Sequence, residues 1–462
     1  MQPADSDDTF GAAEPPLHRA IWSLAWPAVV TMLLLMANSM MDALFVGHLP
    51  NSRAALAAAG VGGSLIYLLV VSSMGVSAGV TALVSRSIGA GNRSDAARAA
   101  GQAITLAAIS GTLIGLACYV LRFHLAGVLL GGPANVEARR QCVQYLAAAL
   151  PGALPMFVGA AIIAAFRGAG DTRTPMHIMI VVVAVHLLLS ALLIFGLLGF
   201  PRLLVRGAGA AFAGSALAEV ILYVVALRSR LGIPEAFTWR NLRLTAAWSR
   251  RILRIGVPAS MRALLGHAAM LVLTGILAHT ADGSAGVAAL EIGIRAEAVA
   301  VMPGAGYRVA AATLAGQNLG AGLPKRAEQA ARGAALQSAA FMSMAGVCFF
   351  VFAHTLSGLF TSDPAVRHLG AEYLRINAFC QPFMACTMVF AGAMRGAGET
   401  LIPSLITIVE NWLIQLPLAW FLMFYSGLQA RGAWIATCVS AILNGICISL
   451  YFRTGRWKHY KV

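Results

Sequence analysis

The amino-acid sequence predicts an all-α polytopic membrane protein with about twelve transmembrane helices in two pseudo-symmetric six-helix lobes. Of the 462 residues, 59% are hydrophobic and only 11% are charged, which is too few polar side chains to cover a water-soluble protein of this size. Long apolar runs recur along the chain, and each approaches or exceeds the roughly 20 residues with which a helix crosses a bilayer. An internal repeat then divides the chain into two similar halves.

Three short motifs carry this repeat, and they occur in the same order in each half. In the first half they are Trp26-Pro27-Ala28, Ile88-Gly89-Ala90-Gly91 and Arg167-Gly168-Ala169-Gly170-Asp171-Thr172. In the second half they are Val257-Pro258-Ala259, Leu319-Gly320-Ala321-Gly322 and Arg395-Gly396-Ala397-Gly398-Glu399-Thr400. Motifs that recur at a nearly constant offset indicate a duplication. Duplicated membrane halves are typical of secondary transporters, whose binding site lies between the repeats.

The apolar segments define the elements in order. The first half predicts helices near residues 21–47, 56–84, 97–122, 138–166, 175–198 and 208–229, and the second half near 252–279, 284–315, 329–354, 367–394, 402–425 and 431–452. The predicted domains are a tail of residues 1–20, an N-lobe of 21–230, a linker of 231–251, a C-lobe of 252–453 and a basic tail of 454–462. Six spans in each lobe give both copies the same orientation, so the pseudo-axis runs along the membrane normal.

The net charge of +15 is unevenly distributed among the loops. Basic residues concentrate in alternate loops, including the central segment 228–254 and the tail 453–461, which places both termini in the cytoplasm by the positive-inside rule. Nucleic-acid binding is excluded because no soluble domain remains to hold a basic face. The seven cysteines form no CxxC pair, so we expect neither disulfides nor a metal site.

One acid breaks the symmetry between the halves. An acid inside a span is costly unless it has a partner or a function. Asp42 corresponds to Leu273 in the second half, so the shared fold does not require a carboxylate there. Asn38 precedes Asp42 by four residues and lies on the same helical face, whereas His186 stands alone in the fifth span. Partial burial favours protonation of a carboxyl group, so Asp42 is a candidate proton carrier; the alternative is a hydrogen bond that packs two helices.

Further charged side chains fall inside the second half. Glu291 and Arg295 have the i,i+4 order of an intrahelical ion pair, which is the structural alternative to a functional role. Arg262 has no partner nearby in the sequence and could pair across helices with Glu297 or Glu410. These five residues are our candidates for a substrate cavity between the lobes.

The motifs together resemble the multidrug and toxic compound extrusion (MATE) family. In the first half the resemblance is carried by Ala25-Trp26-Pro27-Ala28, Asp42 with Val46-Gly47-His48-Leu49, and Gly89-Ala90-Gly91-Asn92. In the second half it is carried by Gly293-Ile294-Arg295-Ala296-Glu297, Met302-Pro303-Gly304, the run from Thr313 to Gly322, and Met394-Arg395-Gly396-Ala397-Gly398. The resemblance implies a monomeric, cofactor-free, non-enzymatic antiporter in the bacterial inner membrane. It would exchange a small organic compound, often cationic and amphipathic, for a cation.

The resemblance also bears on the coupling ion. In this family an acid of the first helix is associated with proton coupling, and Asp42 occupies that position. Sodium-coupled members carry acids in helices seven and ten, whereas this chain has Gly266-His267 in the seventh span and no acid near Met384 in the tenth. We therefore expect a proton in preference to sodium.

The chain is most similar to the proton-coupled, DNA-damage-inducible-type branch of the family. Helix five of that branch carries an Asn and an Asp four residues apart, and His186 and Ser190 have the same spacing here. Because the second carboxylate is missing, either Asp42 works alone or His186 shares the proton. We take Asp42 as the essential group, with Asn38, His186 and Ser190 as its neighbours.

Two alternatives to this function remain at the level of sequence. A lipid-linked-precursor flippase of the same superfamily would share the two-lobe plan, and Arg262, Arg295 and Arg308 would suit a lipid phosphate. A membrane enzyme is disfavoured because no HExxH-type helix or intramembrane His/Asp cluster is present. The sequence does not name the compound that is carried.

Overall fold

The computed structural model describes residues 16–49, 52–229 and 234–460, and within these ranges it contains helices and no β-strand. Residues 1–15 of the predicted tail of 1–20 lie outside them, and residues 17–20 already belong to the first helix. Twelve long helices are named here in chain order: α1 Leu17–Gly47, α2 Ser52–Gly89, α3 Arg93–Leu129, α4 Val136–Ala169, α5 Arg173–Phe195, α6 Val205–Ser229, α7 Ala246–Ala278, α8 Gly283–Gly320, α9 Pro324–Val351, α10 Pro364–Gly396, α11 Leu401–Phe424 and α12 Gln429–Arg453. Each predicted span corresponds to one of these helices.

Eleven of the twelve helices are long and apolar enough to cross a membrane. The exception, α8, has 38 residues but carries Glu291, Arg295, Glu297 and Arg308 along its length. Charges at such positions indicate that α8 faces the interior of the protein or a water-filled space. The chain is a multi-pass membrane protein.

The duplication is visible in the shape of α4 and α10. Each helix is interrupted by one 3₁₀ turn, at Leu150–Gly152 in α4 and at Ala378–Cys380 in α10. Each helix is followed by a glycine in the left-handed region, Gly170 and Gly398, both with φ of +91°. Glycine adopts this conformation without steric cost, which explains why the repeated Arg-Gly-Ala-Gly motif forms a tight turn in both halves.

Helices α1 and α7 each begin in the core of the opposite half. Ile21 and Leu24 of α1 pack in a core formed by α8, α9, α10 and α12. Trp248 and Ile252 of α7 pack in the core formed mainly by α2, α3, α4 and α6. The two crossing helices therefore join the lobes in a pseudo-symmetric manner.

The predicted linker is ordered against α3 where it is described. Gln102 Nε2 donates a hydrogen bond to the carbonyl of Asn241 (3.0 Å), and its Oε1 accepts one from the backbone N–H of Thr245 (2.9 Å). Thr105 Oγ1 donates to the carbonyl of Leu242 (2.8 Å). The last part of the predicted linker, residues 246–251, is already the first part of α7, since no helix breaker separates it from the apolar span.

At one end of the bundle the two lobes are in direct contact. Thr313 Oγ1 of α8 donates to the carbonyl of Arg167 in α4 (2.7 Å), and Gln317 Nε2 donates to the carbonyl of Gly168 (3.1 Å). A side chain at Gly89 of α2 would collide with the backbone of Gln317. The lobes are therefore closed against each other at this end, which we call the closed end.

The segment after α12 also lies at the closed end. Trp457 is fully buried in the C-lobe core, and Lys458 forms an ion pair with Glu328 of α9. Arg86 Nη1 of α2 donates a hydrogen bond to the carbonyl of Tyr460 (2.7 Å). The segment is thus anchored in one lobe and touches the other.

Candidate functional site

Asp42 and His186 meet inside the N-lobe. His186 Nε2 lies 2.8 Å from Asp42 Oδ1. This contact joins the middle of α5 to the C-terminal part of α1. The side chain of His186 is only 4% exposed, whereas that of Asp42 is 37% exposed. The pair therefore has one partly exposed member and one that is buried among helices. Leu273, which occupies the position of Asp42 in the other half, is a buried core residue.

The hydrogen bonds of Ser215 in α6 favour one tautomer of His186. Ser215 Oγ lies 2.9 Å from the carbonyl oxygen of Phe212, to which it donates, and 2.9 Å from His186 Nδ1. With the single hydroxyl proton assigned to Phe212, Nδ1 is assigned as the donor in its contact with Ser215. Nε2 then faces Asp42 either as the N–H of an imidazolium or as a lone pair that accepts a proton from the carboxyl group.

In both states the pair of Asp42 and His186 shares one proton. Loss of that proton would leave a carboxylate oxygen facing an imidazole lone pair at 2.8 Å, which is a repulsive contact. With this assignment, the hydrogen bond between α1 and α5 requires the shared proton. Protonation and the contact between the two helices are linked by this geometry.

Ser190 and Asn38 are the other two residues that we predicted to be neighbours of Asp42. Ser190 is fully buried one turn along α5, with its Oγ 3.4 Å from His186 Nε2. Asn38 Oδ1 is buried and has no hydrogen-bond partner among the described residues. Ser215 was missed by sequence reasoning, because a serine in a packed helix gives no signal until α6 is placed against α5.

A second site lies in the C-lobe. A cavity of about 270 Å³ is lined by three of the five candidate residues, Arg262, Glu297 and Glu410. Glu410 begins a π-helical stretch, Glu410–Gln415, within α11, and such interruptions of an α-helix are frequent at functional sites. Glu291 and Arg295 do not line this cavity and are exposed.

Neutral donors hold the two acids of this cavity. Glu297 accepts hydrogen bonds from the hydroxyl group of Tyr373 (2.8 Å) and from Gln381 Nε2 (2.7 Å). Glu410 Oε2 accepts from Asn444 Nδ2 (3.2 Å). Arg262 forms an ion pair with neither acid, so the cross-helix pairing considered from the sequence does not occur.

Neither a metal centre nor a disulfide is found in the part of the chain that the structure describes. No group of three His, Cys, Asp or Glu side chains there is arranged to hold a metal ion. All seven cysteines are free.

Comparisons with known proteins agree with this architecture. The family described as MatE matches residues 27–192 and 258–421, one segment in each half. The chain is 30% identical over 453 residues to the probable multidrug resistance protein NorM of Thermotoga maritima, which covers 96% of this chain and 94% of the relative. It is 28% identical over 443 residues to a protein of Shewanella oneidensis named FAD transporter, covering 95% of each chain.

The fold also matches a solved transporter structure. The Vibrio cholerae MATE transporter VcmN in the bent form superposes with a TM-score of 0.86 at 24% identity, over 95% of this chain and 97% of that one. Two matched halves, twelve helices in two lobes, and curated relatives aligned over almost their full length lead to one conclusion. The chain belongs to the MatE family, the multidrug and toxic compound extrusion proteins, which are transporters rather than enzymes.

Proposed function

We propose that this protein exports a small amphipathic organic compound in exchange for a proton, and that the Asp42–His186 pair carries the proton. The observation that supports the proposal most directly is the 2.8 Å contact between Asp42 and His186, in which the tautomer assigned from Ser215 leaves one proton to be shared. Asp42 is partly exposed and His186 is buried, so proton exchange would take place at the carboxyl group.

The proton would act through the position of α1. When the proton is bound, Asp42 ties α1 to α5, and when it leaves, the two side chains repel each other. Pro27 interrupts the backbone hydrogen bonds of α1, so this helix can bend at moderate cost. The beginning of α1 packs against the C-lobe, which gives a change at Asp42 a route to the contact between the lobes.

The closed end of the bundle is the gate in this scheme. We place it on the cytoplasmic side, because the basic loops and the basic segment after α12 lie there. The structure would then correspond to the outward-facing state, in which a proton from outside can reach Asp42. Rocking of the lobes would break the hydrogen bonds of Thr313 and Gln317 and open the cytoplasmic side.

The proposed cargo is an amphipathic organic compound, and the C-lobe cavity with Glu297 and Glu410 is the proposed place of contact. The relatives above are named as a multidrug resistance protein and as an FAD transporter. These names do not favour the flippase alternative.

The test uses purified protein in proteoliposomes loaded with a fluorescent organic compound. A pH gradient should drive movement of the compound, and a sodium gradient of equal size should not. The variant Asp42→Asn should abolish the response to pH, because an amide cannot release a proton. Asp95→Asn, which changes an acid in the first turn of α3, is the matched control and should transport normally. Movement that follows sodium, or that persists in Asp42→Asn, would contradict the proposal.

A further inference from the structure

Four arginines in the membrane-spanning helices form no side-chain hydrogen bond or ion pair with the described residues. They are Arg167 of α4, Arg262 of α7, Arg308 of α8 and Arg395 of α10, and each is half-buried. In the described part of the chain none of the four side chains forms an ion pair or a hydrogen bond, and Arg308 Nε is buried with its donor unused. We call these four residues the arginine cluster.

The members of the cluster are close enough to act on one another. Gly392 of α10, three residues before Arg395, packs against Arg308, since a Cβ at position 392 would lie 2.7 Å from Arg308 Cγ. Thr313, five residues after Arg308 in α8, bonds the carbonyl of Arg167. This packing agrees with the mutual electrostatic influence of Arg308 with Arg167, Arg262 and Arg395.

Arginines that have no hydrogen-bond acceptor among the described residues raise the free energy of the folded protein. A single unpaired charge inside a membrane protein costs several kcal/mol, and like charges placed together raise that cost. A structural role does not explain the cluster, because arginines that support a fold are satisfied by acids or carbonyl groups. A ligand that supplies the missing acceptors does explain it.

The acids nearby leave the cluster with an excess of positive charge. Glu219 and Tyr223 face Arg167 from α6, and Glu297 and Glu410 share a cavity with Arg262. These three acids number one fewer than the arginines, and the carboxylates of Asp171 and Glu399, four residues after Arg167 and Arg395, accept hydrogen bonds from the backbone N–H groups of Thr174 and Ile402. Glu297 and Glu410 are moreover held by neutral donors, so their oxygens are not directed at a guanidinium group.

We propose that the compound exported by this protein carries an anionic group, a carboxylate, sulfonate or phosphate, which binds at the arginine cluster. Guanidinium groups match these oxyanions because they donate two parallel hydrogen bonds. The inference rests on the proposed function, since it names the class of compound that is moved. It differs from the cationic compound that the family resemblance implies, although Glu297 and Glu410 leave room for a cationic part in the same molecule.

The place of the cluster suits a role in transport. Arg308 is five residues from Thr313, or about 7.5 Å along α8, and Thr313 bonds the carbonyl of Arg167 at the closed end. Arg167 belongs to the N-lobe, whereas Arg262 and Arg395 belong to the C-lobe. A bound anion would therefore offset the repulsion between the lobes at the point where they must separate.

Two dyes that differ in this charge and in one small alkyl group provide the test. One is a rhodamine whose carboxyl group is esterified, which leaves a cation, and the other is the same dye as the free acid. Binding to the protein in phosphatidylcholine nanodiscs is followed by fluorescence anisotropy without any ion gradient. We expect the free acid to bind at least about tenfold more tightly than the ester, the size of one hydrogen bond to a charged group.

Variants test whether the arginine cluster causes the difference in affinity between the free acid and the ester. Arg308→Gln should weaken binding of the free acid by about tenfold or more while leaving the ester unchanged, and Arg308→Lys should retain part of the preference. Arg375→Gln removes an exposed charge from α10 and is the matched control. Unchanged binding of the ester also shows that Arg308→Gln is folded; should it fail to fold, the Arg308→Lys comparison decides.

Several outcomes would overturn the inference. Tighter binding of the ester, or equal losses for both dyes in Arg308→Gln, would show that the cluster does not recognise an anion. If phosphatidylglycerol in the nanodiscs displaces the free acid and not the ester, a lipid headgroup occupies the cluster instead of the cargo. Because no gradient is applied, a failure of proton coupling in Asp42→Asn would leave these results unaffected and would be detected separately.

Discussion

The Asp42–His186 pair leads to a quantitative prediction about coupling. The hydrogen bonds around the pair leave one proton to be shared, so one proton should move for each molecule of substrate. At zero membrane potential, a gradient of one pH unit is worth about 1.4 kcal/mol per proton, which is a tenfold concentration ratio. Accumulation in proteoliposomes should therefore approach tenfold for an inside-acidic gradient of one unit, with the potential clamped by potassium and an ionophore.

The variant His186→Gln separates the rate of transport from the limiting accumulation of the substrate. Glutamine can donate a hydrogen bond to Asp42 but cannot accept a proton as a base, so the proton must reside on the carboxyl group alone. Loss of a charge-assisted hydrogen bond, worth about 1.5–3 kcal/mol, should slow transport near neutral pH by about tenfold to a hundredfold. The limiting accumulation should stay at tenfold, because the stoichiometry is unchanged.

The same measurements can refute this reasoning. A limit near a hundredfold in the natural chain that falls to tenfold in His186→Gln would mean that His186 carries a second proton. An unchanged rate in His186→Gln would mean that Asp42 works without it. His124→Gln, at an exposed position of α3, is the control and should match the natural chain in both rate and limit.

Three further predictions concern the site, the gate and the C-lobe core. Ser215→Ala removes the acceptor for the histidine N–H, and we expect a loss of about 1–3 kcal/mol in the free energy of unfolding together with slower pH-driven transport. Gly89→Val should push the lobes apart where Gly89 meets Gln317 and favour the inward-open state, which spin-label distances between the lobes would report; Gly63→Val, at a position with open space, should not. Trp457→Ala empties a fully buried position and should cost about 3–5 kcal/mol, and a melting temperature equal to that of the natural chain would contradict that packing.

The twelve helices could be predicted from the sequence because a membrane imposes a simple rule on length and polarity. The duplication could also be predicted, from the motifs that recur in both halves. The structure confirms it in the matching interruptions of α4 and α10. The pairing of Asp42 with His186 was anticipated only as proximity, since the resemblance to a family placed both residues near one site. Their protonation could not be predicted, because it depends on Ser215, which lies 29 residues from His186.

The C-lobe illustrates a different limit of sequence reasoning. An i,i+4 spacing suggested that Glu291 and Arg295 pair, yet both are exposed and no ion pair joins them. The partners of Glu297 are Tyr373 and Gln381, which lie 76 and 84 residues away. Neutral donors are common in every helix, so only the packing of α8 against α10 shows which of them are used.

The unequal use of the two halves has a consequence for how such a protein can change over generations. The Asp42–His186 pair proposed to carry the proton lies in one copy of the duplicated unit, and three of the four clustered arginines lie in the other. On this proposal, substitutions that alter which compounds are recognised can accumulate in the second copy while the first continues to supply the driving force. Under selection by a new toxic compound, the half with Arg262, Arg308 and Arg395 is therefore where adaptive changes should appear, and the half with Asp42 should stay as it is.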